Sequence, residues 1–316
     1  MIYPKIISLI KESNKIAILS HIMPDGDNIG SGLAMSIALN KLGKKATFIL
    51  DDQIPDIYKF LAGAENIDKP NNLYDYDLVI ALDCGDMERL GQSSKYITNK
   101  IIINIDHHIS NTSFGTINLI EKNAAATGEI VYKVIRELGV EIDKSIAECI
   151  YVAISTDTGH FQYSNTSTVT HKVISDLLQY GINVQKIYRS VYQNNSKEKI
   201  VLIGEALKSL EFLFHDKVSI VKVTKKQTES IGAKDEDSEG IINLARDING
   251  VEVAVFLKEI DYDLIKVGFR SKDYVDVSKL AQIFGGGGHI RASGCTIRNE
   301  MKKVENMIIE EIAKVI

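Results

Sequence analysis

Ile101-Ile102-Ile103-Asn104-Ile105-Asp106-His107-His108 is an apolar, β-branched run that breaks into an acid and two imidazoles. So short a run, this rich in isoleucine, suits a strand buried on both faces, as in a parallel sheet. The arrangement recurs along the chain. Ile16-Ala17-Ile18-Leu19 leads to His21-Ile22-Met23-Pro24-Asp25-Gly26-Asp27, and Leu78-Val79-Ile80-Ala81-Leu82 leads to Asp83-Cys84-Gly85-Asp86. Asp157 closes a fourth apolar segment, Cys149 to Ile154. In open α/β sheets, ligands collect beyond the carboxyl ends of the strands. These polar ends therefore predict side chains converging on one point.

Outward from these runs, the first 190 residues alternate β-rich stretches with helical patterns, which predicts crossover helices on a mainly parallel sheet. The expected strands are Lys15–Ser20, Ala46–Leu50, Leu78–Leu82, Ile101–Ile105 and an edge strand, Thr116–Ile120. Helices are expected over Tyr3–Glu12, from near Asn28, over Glu129–Leu138 with Thr127 as its cap, and from Asp143 into Ser155. After Gly181 the pattern changes, and a polar stretch, Tyr192–Ser196, precedes a helix over Lys197–Leu210. The fold class predicted is α/β: an N-terminal, mostly parallel, doubly wound sheet with a smaller C-terminal α/β domain. The domains are read as 1–190, a linker and hinge helix over 191–210, and 211–316.

Composition narrows the function. The 316 residues are 45% hydrophobic and 25% charged, ordinary for a globular protein, and carry a formal net charge of −5. Such a balance argues against coating long nucleic acid by charge alone, though not against a short anionic substrate. Cys84, Cys149 and Cys295 lack any CxxC spacing, which fits a reducing compartment and excludes a zinc-thiolate site. No signal peptide and no apolar run near the roughly 18 residues of a membrane span are seen. A cytoplasmic protein with no membrane partner is expected, and a homodimer is compatible with the sequence.

His21, Asp25, Asp27, Asp83, His107 and Asp157 are the candidate metal ligands. Carboxylates and imidazoles without a thiolate suit Mn²⁺ best, with Mg²⁺, Co²⁺ or Fe²⁺ as alternatives. Each has a plainer reading: a single aspartate after a strand is ordinarily a cap, and Asp25-Gly26-Asp27 would also serve as a tight turn. Packed together, however, four carboxylates would repel unless cations neutralised them. Two such ions, about 3.5–4 Å apart, can polarise a phosphoryl group, generate hydroxide and stabilise a leaving oxygen. Hydrolysis of a phosphate ester or anhydride follows as the reaction class.

The set His21-x-x-x-Asp25-x-Asp27, Asp83, Asp106-His107-His108 and Asp157 resembles the DHH phosphoesterase superfamily, which includes exonucleases, family II pyrophosphatases and oligoribonucleases. That resemblance implies one ion on His21, Asp25 and Asp83. It implies another on Asp27, Asp83, His107 and Asp157, with Asp83 bridging. Asp83, His108 and Asp106 then carry the catalytic roles: bridge, contact to the substrate phosphate, and orienter of an imidazole. Cys84 is read as packing beside the bridge, and His160 as a residue lining the site.

Gly285-Gly286-Gly287-Gly288-His289-x-Arg291-Ala292-Ser293-Gly294 is the second signal. Glycine runs let backbone N–H groups approach an anion. This one fits neither the Walker A nor the GxGxxG pattern. With Gly268-Phe269-Arg270-Ser271 and an expected helix over Val277–Phe284 before it, the stretch resembles the DHHA1 domain. The resemblance implies substrate binding by Arg270, Ser271, Gly286, Gly287, Gly288, His289 and Arg291. Arginine suits the role through its two-pronged contact with phosphate, while a satisfied structural imidazole stays open for His289. The compact chain is most similar to the stand-alone nanoRNase/PAP phosphatase group. It implies hydrolysis of short oligoribonucleotides and dinucleotides, and dephosphorylation of 3'-phosphoadenosine 5'-phosphate. A phosphodiesterase for cyclic or linear dinucleotides is the alternative, ahead of a RecJ-like exonuclease or an inorganic pyrophosphatase.

Overall fold

A computed structural model describes residues 2–70 and 75–316, which divide into two compact units on either side of Asn194/Asn195. In the first, the apolar runs form parallel strands β1 (Lys15–Leu19), β2 (Lys45–Ile49), β3 (Leu78–Leu82), β4 (Ile101–Asp106) and β5 (Ile117–Ile120). They lie in the order β2-β1-β3-β4-β5, all parallel. The order reverses direction between β1 and β3, and ligands bind at such a switch point. The strands that end before His21 and Asp83 are this pair.

Alternation sends Ile16, Ile18, Leu78, Ile80, Leu82, Ile103 and Ile105 to one face. There they meet helices α1 (Ile2–Glu12), α2 (Gly26–Lys41), α3 (Thr127–Glu137), α4 (Lys144–Asp157), α5 (Thr168–Leu178) and α6 (Val184–Tyr192). The opposite face, with Ala17, Leu19, Val79 and Ala81, is covered by Leu90, Tyr96 and Ile97 of the 3-10 segment Glu88–Ile97. Helix α2 packs so tightly on α4 that a Cβ at Gly30 would lie 2.3 Å from the Cys149 carbonyl oxygen. That approach brings the start of α2, with Asp27, beside the end of α4, with Asp157. The fourth polar terminus is the end of the helix expected from Asp143.

The second unit is a mixed sheet of β6 (Glu211–Leu213), β7 (Val218–Val223), β8 (Val253–Asp261), β9 (Leu264–Ser271), β10 (Gly287–His289) and β11 (Ala292–Arg298). Its order is β10-β11-β9-β8-β7-β6, with only β7 and β8 parallel among the described pairs. On one face Val253, Val255, Val267 and Phe269 pack with α10 (Val277–Ile283) and α11 (Met301–Ile312). On the other, Val221, Val223 and Ala254 pack with α7 (Lys197–Lys208) and α9 (Ile241–Arg246), while α8 (Lys225–Ile231) follows β7. Part of the glycine run, expected as a loop, is strand: Gly287 to His289 pair with Gly294 to Ala292 in a hairpin. Where Gly288 faces Ser293, a Cβ would fall 2.6 Å from the Ala292 carbonyl oxygen, so glycine is what lets the two chains close.

Candidate metal centre

The helix caps place the carboxylates. Asp25 caps α2, its Oδ1 accepting from the Asn28 N–H at 3.1 Å, so the helix starts two residues before the expected Asn28. Asp27, on the first turn, accepts from the Thr127 N–H at 2.6 Å, the Gly128 N–H at 2.9 Å and Ser31 Oγ at 2.9 Å. It thereby satisfies the open N-terminal N–H groups of α3 from another helix. Thr127 is not the cap of α3; Ala126 holds that position, and Thr127 Oγ1 instead donates to Asp83 Oδ1 at 3.1 Å. Asp83 leaves β3 with φ 53, a left-handed conformation that an aspartate holds only where its surroundings enforce it.

Around Asp83 the candidate ligands gather. Nε2 of His21 lies 3.3 Å from Asp83 Oδ2, and Nε2 of His107 lies 3.3 Å from Asp157 Oδ2 and 3.8 Å from both Asp27 Oδ2 and Asp83 Oδ1. Donor atoms of His21, Asp25 and Asp83 lie within 4.8 Å of one another, as do those of Asp27, His107 and Asp157. Those of Asp83, His107 and His108 form a third such group. The far nitrogens are tied down: Nδ1 of His21 sits 2.7 Å from the Ile22 carbonyl, and Nδ1 of His107 sits 3.1 Å from that of Ala124. A carbonyl can only accept, so each Nδ1 carries a proton and each Nε2 is the nitrogen turned to the cluster. Nδ1 of His108 is held by Asp106 Oδ1 at 2.7 Å, and Asp106 Oδ2 accepts from Asn111 at 2.5 Å.

Electrostatics expose the strain of this packing. Burial, and then the neighbouring carboxylates, push Asp83 well above the usual carboxylate range; burial also raises Asp27. Asp157 is pushed up to about 7 by burial and by Asp27. His107 rises to about 9: burial opposes its charge, but Asp27, Asp157 and Asp83 outweigh it. Asp106 goes the other way, since burial is overcome by its bond to His108. Among the described residues, none of Asp27, Asp83 and Asp157 pairs with a lysine or arginine. Hard oxygen donors, two oriented imidazoles and an excess of buried negative charge fit a divalent metal site.

The remaining candidates separate from this cluster. Cys84 is buried, donates to the Asp86 carbonyl and is pushed up to about 12 by burial, so it packs as a neutral thiol. His160 stands against Ser155 Oγ at 3.2 Å and stacks near the rings of Tyr188 and Tyr192. In the second unit, Ser271 is buried and donates to the Val275 carbonyl at 2.7 Å, while Arg291 donates to the carbonyls of Val275 and Asp273. In this structure both hold the 273–275 turn, because carbonyls bent away from the sheet need donors. Glu252 braces the same turn through the N–H groups of Asp273, Tyr274 and Val275. Arg270 donates to its neighbour's carbonyl at 2.9 Å, and His289, Gly287 and Gly288 are exposed on β10. Gly286 packs on β11, where a Cβ would meet the Gly294 carbonyl oxygen. Thr127, Asn111 and Arg89, whose Nη2 lies 3.3 Å from Nδ1 of His21, are not legible as site residues in the sequence, and only Asn111, close behind the two histidines, has any local signal.

Known proteins share this layout. Residues 15–154 match the DHH family, N-terminal domain, and residues 215–316 match the DHHA1 domain. The chain is 32% identical to the bifunctional oligoribonuclease and PAP phosphatase NrnA of Thermus thermophilus, over 94% of this chain and 89% of that protein. With the Bacillus subtilis protein of the same name it shares 28% identity, over 93% and 92%. An exopolyphosphatase-related protein from Bacteroides fragilis has a TM-score of 0.93 at 30% identity, covering 98% of this chain and 94% of that one.

Proposed function

This chain belongs to the DHH family and carries a DHHA1 domain, and from that premise we propose a metal-dependent phosphohydrolase of short oligoribonucleotides and dinucleotides that also dephosphorylates 3'-phosphoadenosine 5'-phosphate. The observation that carries it is the ring of Asp27, Asp83 and Asp157 about Nε2 of His107, the first two buried and the third half-buried, a concentration of carboxylates that calls for cations. We assign one ion to His21, Asp25 and Asp83 and another to Asp27, Asp83, His107 and Asp157. Mn²⁺ suits these donors best. When bound, such ions supply Lewis acidity and lower the pKa of water.

The protein's own part is positional. Asp106 orients His108 for contact with the substrate phosphate, and Thr127 and Ser31 donate to Asp83 and Asp27 and fix their carboxylates. Asp25, with a side chain 59% exposed beside nearly buried partners, marks the solvent side by which substrate arrives. In the second unit, Arg270 and His289 are the groups we assign to nucleotide recognition, together with the N–H groups of Gly286 to Gly288. A net charge of −5 supports a short substrate, because a long strand would want a basic track.

Initial rates with Mn²⁺ on diadenylate (linear and cyclic), 3'-phosphoadenosine 5'-phosphate, pyrophosphate and RNA of about twenty nucleotides test the proposal. Linear diadenylate should be cleaved fastest among the RNAs. A rate that climbs with RNA length, or turnover of pyrophosphate alone, contradicts it.

A further inference from the structure

The metal chemistry leaves Arg89 without a role. Its Nη2 lies 3.3 Å from Nδ1 of His21, yet that nitrogen already has its proton directed to the Ile22 carbonyl at 2.7 Å. Two donors face each other, so the guanidinium spends no hydrogen bond on the imidazole. Among the described residues no carboxylate lies within ion-pair distance of it either.

The main chain holds Arg89 in place from both sides. Its N–H donates to Asp86 Oδ1 at 3.0 Å, and its carbonyl accepts from the Ile22 N–H at 2.8 Å, which ties it to the loop that carries His21. Just beyond, Gly91 turns the chain with φ 56 and ψ −136, where a Cβ would meet Asp51 Oδ2 at 2.4 Å. Asp51 also receives the Gln92 N–H at 2.8 Å. With its main chain so fixed beside an acidic cluster, and its guanidinium in no ion pair with those carboxylates, Arg89 is placed to meet an anion.

We propose that Arg89 binds a non-bridging oxygen of the substrate phosphoryl group on the His21 side of the cluster. The planar fork offers two parallel N–H groups to a phosphate, and its charge offsets the charge that builds on those oxygens during displacement. The proposal rests on the reading of the cluster as a phosphohydrolase site, and it adds a contact that no metal ligand supplies.

The test compares wild type with Arg89→Gln and Arg89→Lys in the full-length, Mn²⁺-loaded protein. Elemental analysis should find the same manganese content in all three. Titration calorimetry with inorganic phosphate should show affinity falling about tenfold in Arg89→Gln. The kcat/KM on diadenylate should fall about a hundredfold, with Arg89→Lys between the two because a point charge replaces the fork. Phosphate affinity and rate unchanged in Arg89→Gln would overturn the proposal. So would a loss of manganese in both variants, since Arg89 would then be a support for His21. If wild type fails to cleave diadenylate but binds phosphate in an Arg89-dependent way, the substrate reading falls and the Arg89 contact stands.

Discussion

The two candidate sites of this molecule are built from opposite materials. In the first unit, side chains crowd charge together: Asp27 and Asp83 are buried and raised above the usual carboxylate range, and His107 is drawn up to about 9. In the second, the backbone is the material: Gly287 and Gly288 run along an exposed hairpin behind a packed Gly286, and the neighbouring Ser271 and Arg291 secure its supporting turn. The first is a site whose apo form is electrostatically unfavourable; the second is satisfied as it stands. A metal centre trades stability for charge density, whereas a recognition hairpin needs only shape and a few donors.

Asp83→Asn should break the comparison most severely. Removing the carboxylate shared by both ligand sets should take activity to background and lower the manganese content measured by elemental analysis. In chelator the same variant should melt above wild type, because the charge that burial and Asp27 oppose is gone. A chelated variant that melts lower would show that Asp83 chiefly supports the fold.

Next in size are the recognition residues. Arg270→Ala and His289→Ala should each weaken nucleotide binding by about 1.5–3 kcal/mol while leaving manganese content untouched. Either variant arriving without metal would show that the two sites are not chemically separate. Arg291→Ala sharpens the contrast within the second unit. Two carbonyls lose their donor, so the expected effect is a stability loss of about 1 kcal/mol in thermal or urea unfolding. Its nucleotide affinity should fall less than that of Arg270→Ala.

The smallest effect is a pH dependence of the metal-free first unit. Burial and Asp27 push Asp157 up to about 7 in the folded state, against the usual aspartate value of about 4. The folded state therefore binds more protons than the unfolded one between those values, and this group subtracts stability as pH rises from about 4 to 7. Chelated protein should accordingly gain more from added Mn²⁺, in melting temperature, at pH 8 than at pH 5. An equal gain at both would mean that the cluster carries no such strain.

How far the sequence could be read follows the same division. β1, β3 and β4 were legible because apolar runs end abruptly in acids and imidazoles, and side-chain chemistry is written in the letters. Thr127 was misread as a cap because its part is played by a main-chain N–H aimed at Asp27, a hundred residues upstream in sequence. β11 is not legible: of its buried positions, Ser293, Cys295 and Ile297, only the last is large and apolar, too little for a period-two signal. Its partner β10 is glycine, with no side chain to pattern. Helices α5 and α6 were also passed over in a stretch read for its polar end. An arginine after glycines is legible as a phosphate ligand, whereas the hold of Arg291 on the carbonyls of Val275 and Asp273 is visible only in coordinates.

The measurement that bears most directly on the central claim is a manganese titration of metal-stripped protein, following bound metal and diadenylate hydrolysis in the same samples. The account predicts no turnover without metal and a rate that reaches its plateau as the second ion per chain is bound. Full turnover in stripped protein, or a plateau at one ion with no further uptake, would contradict it.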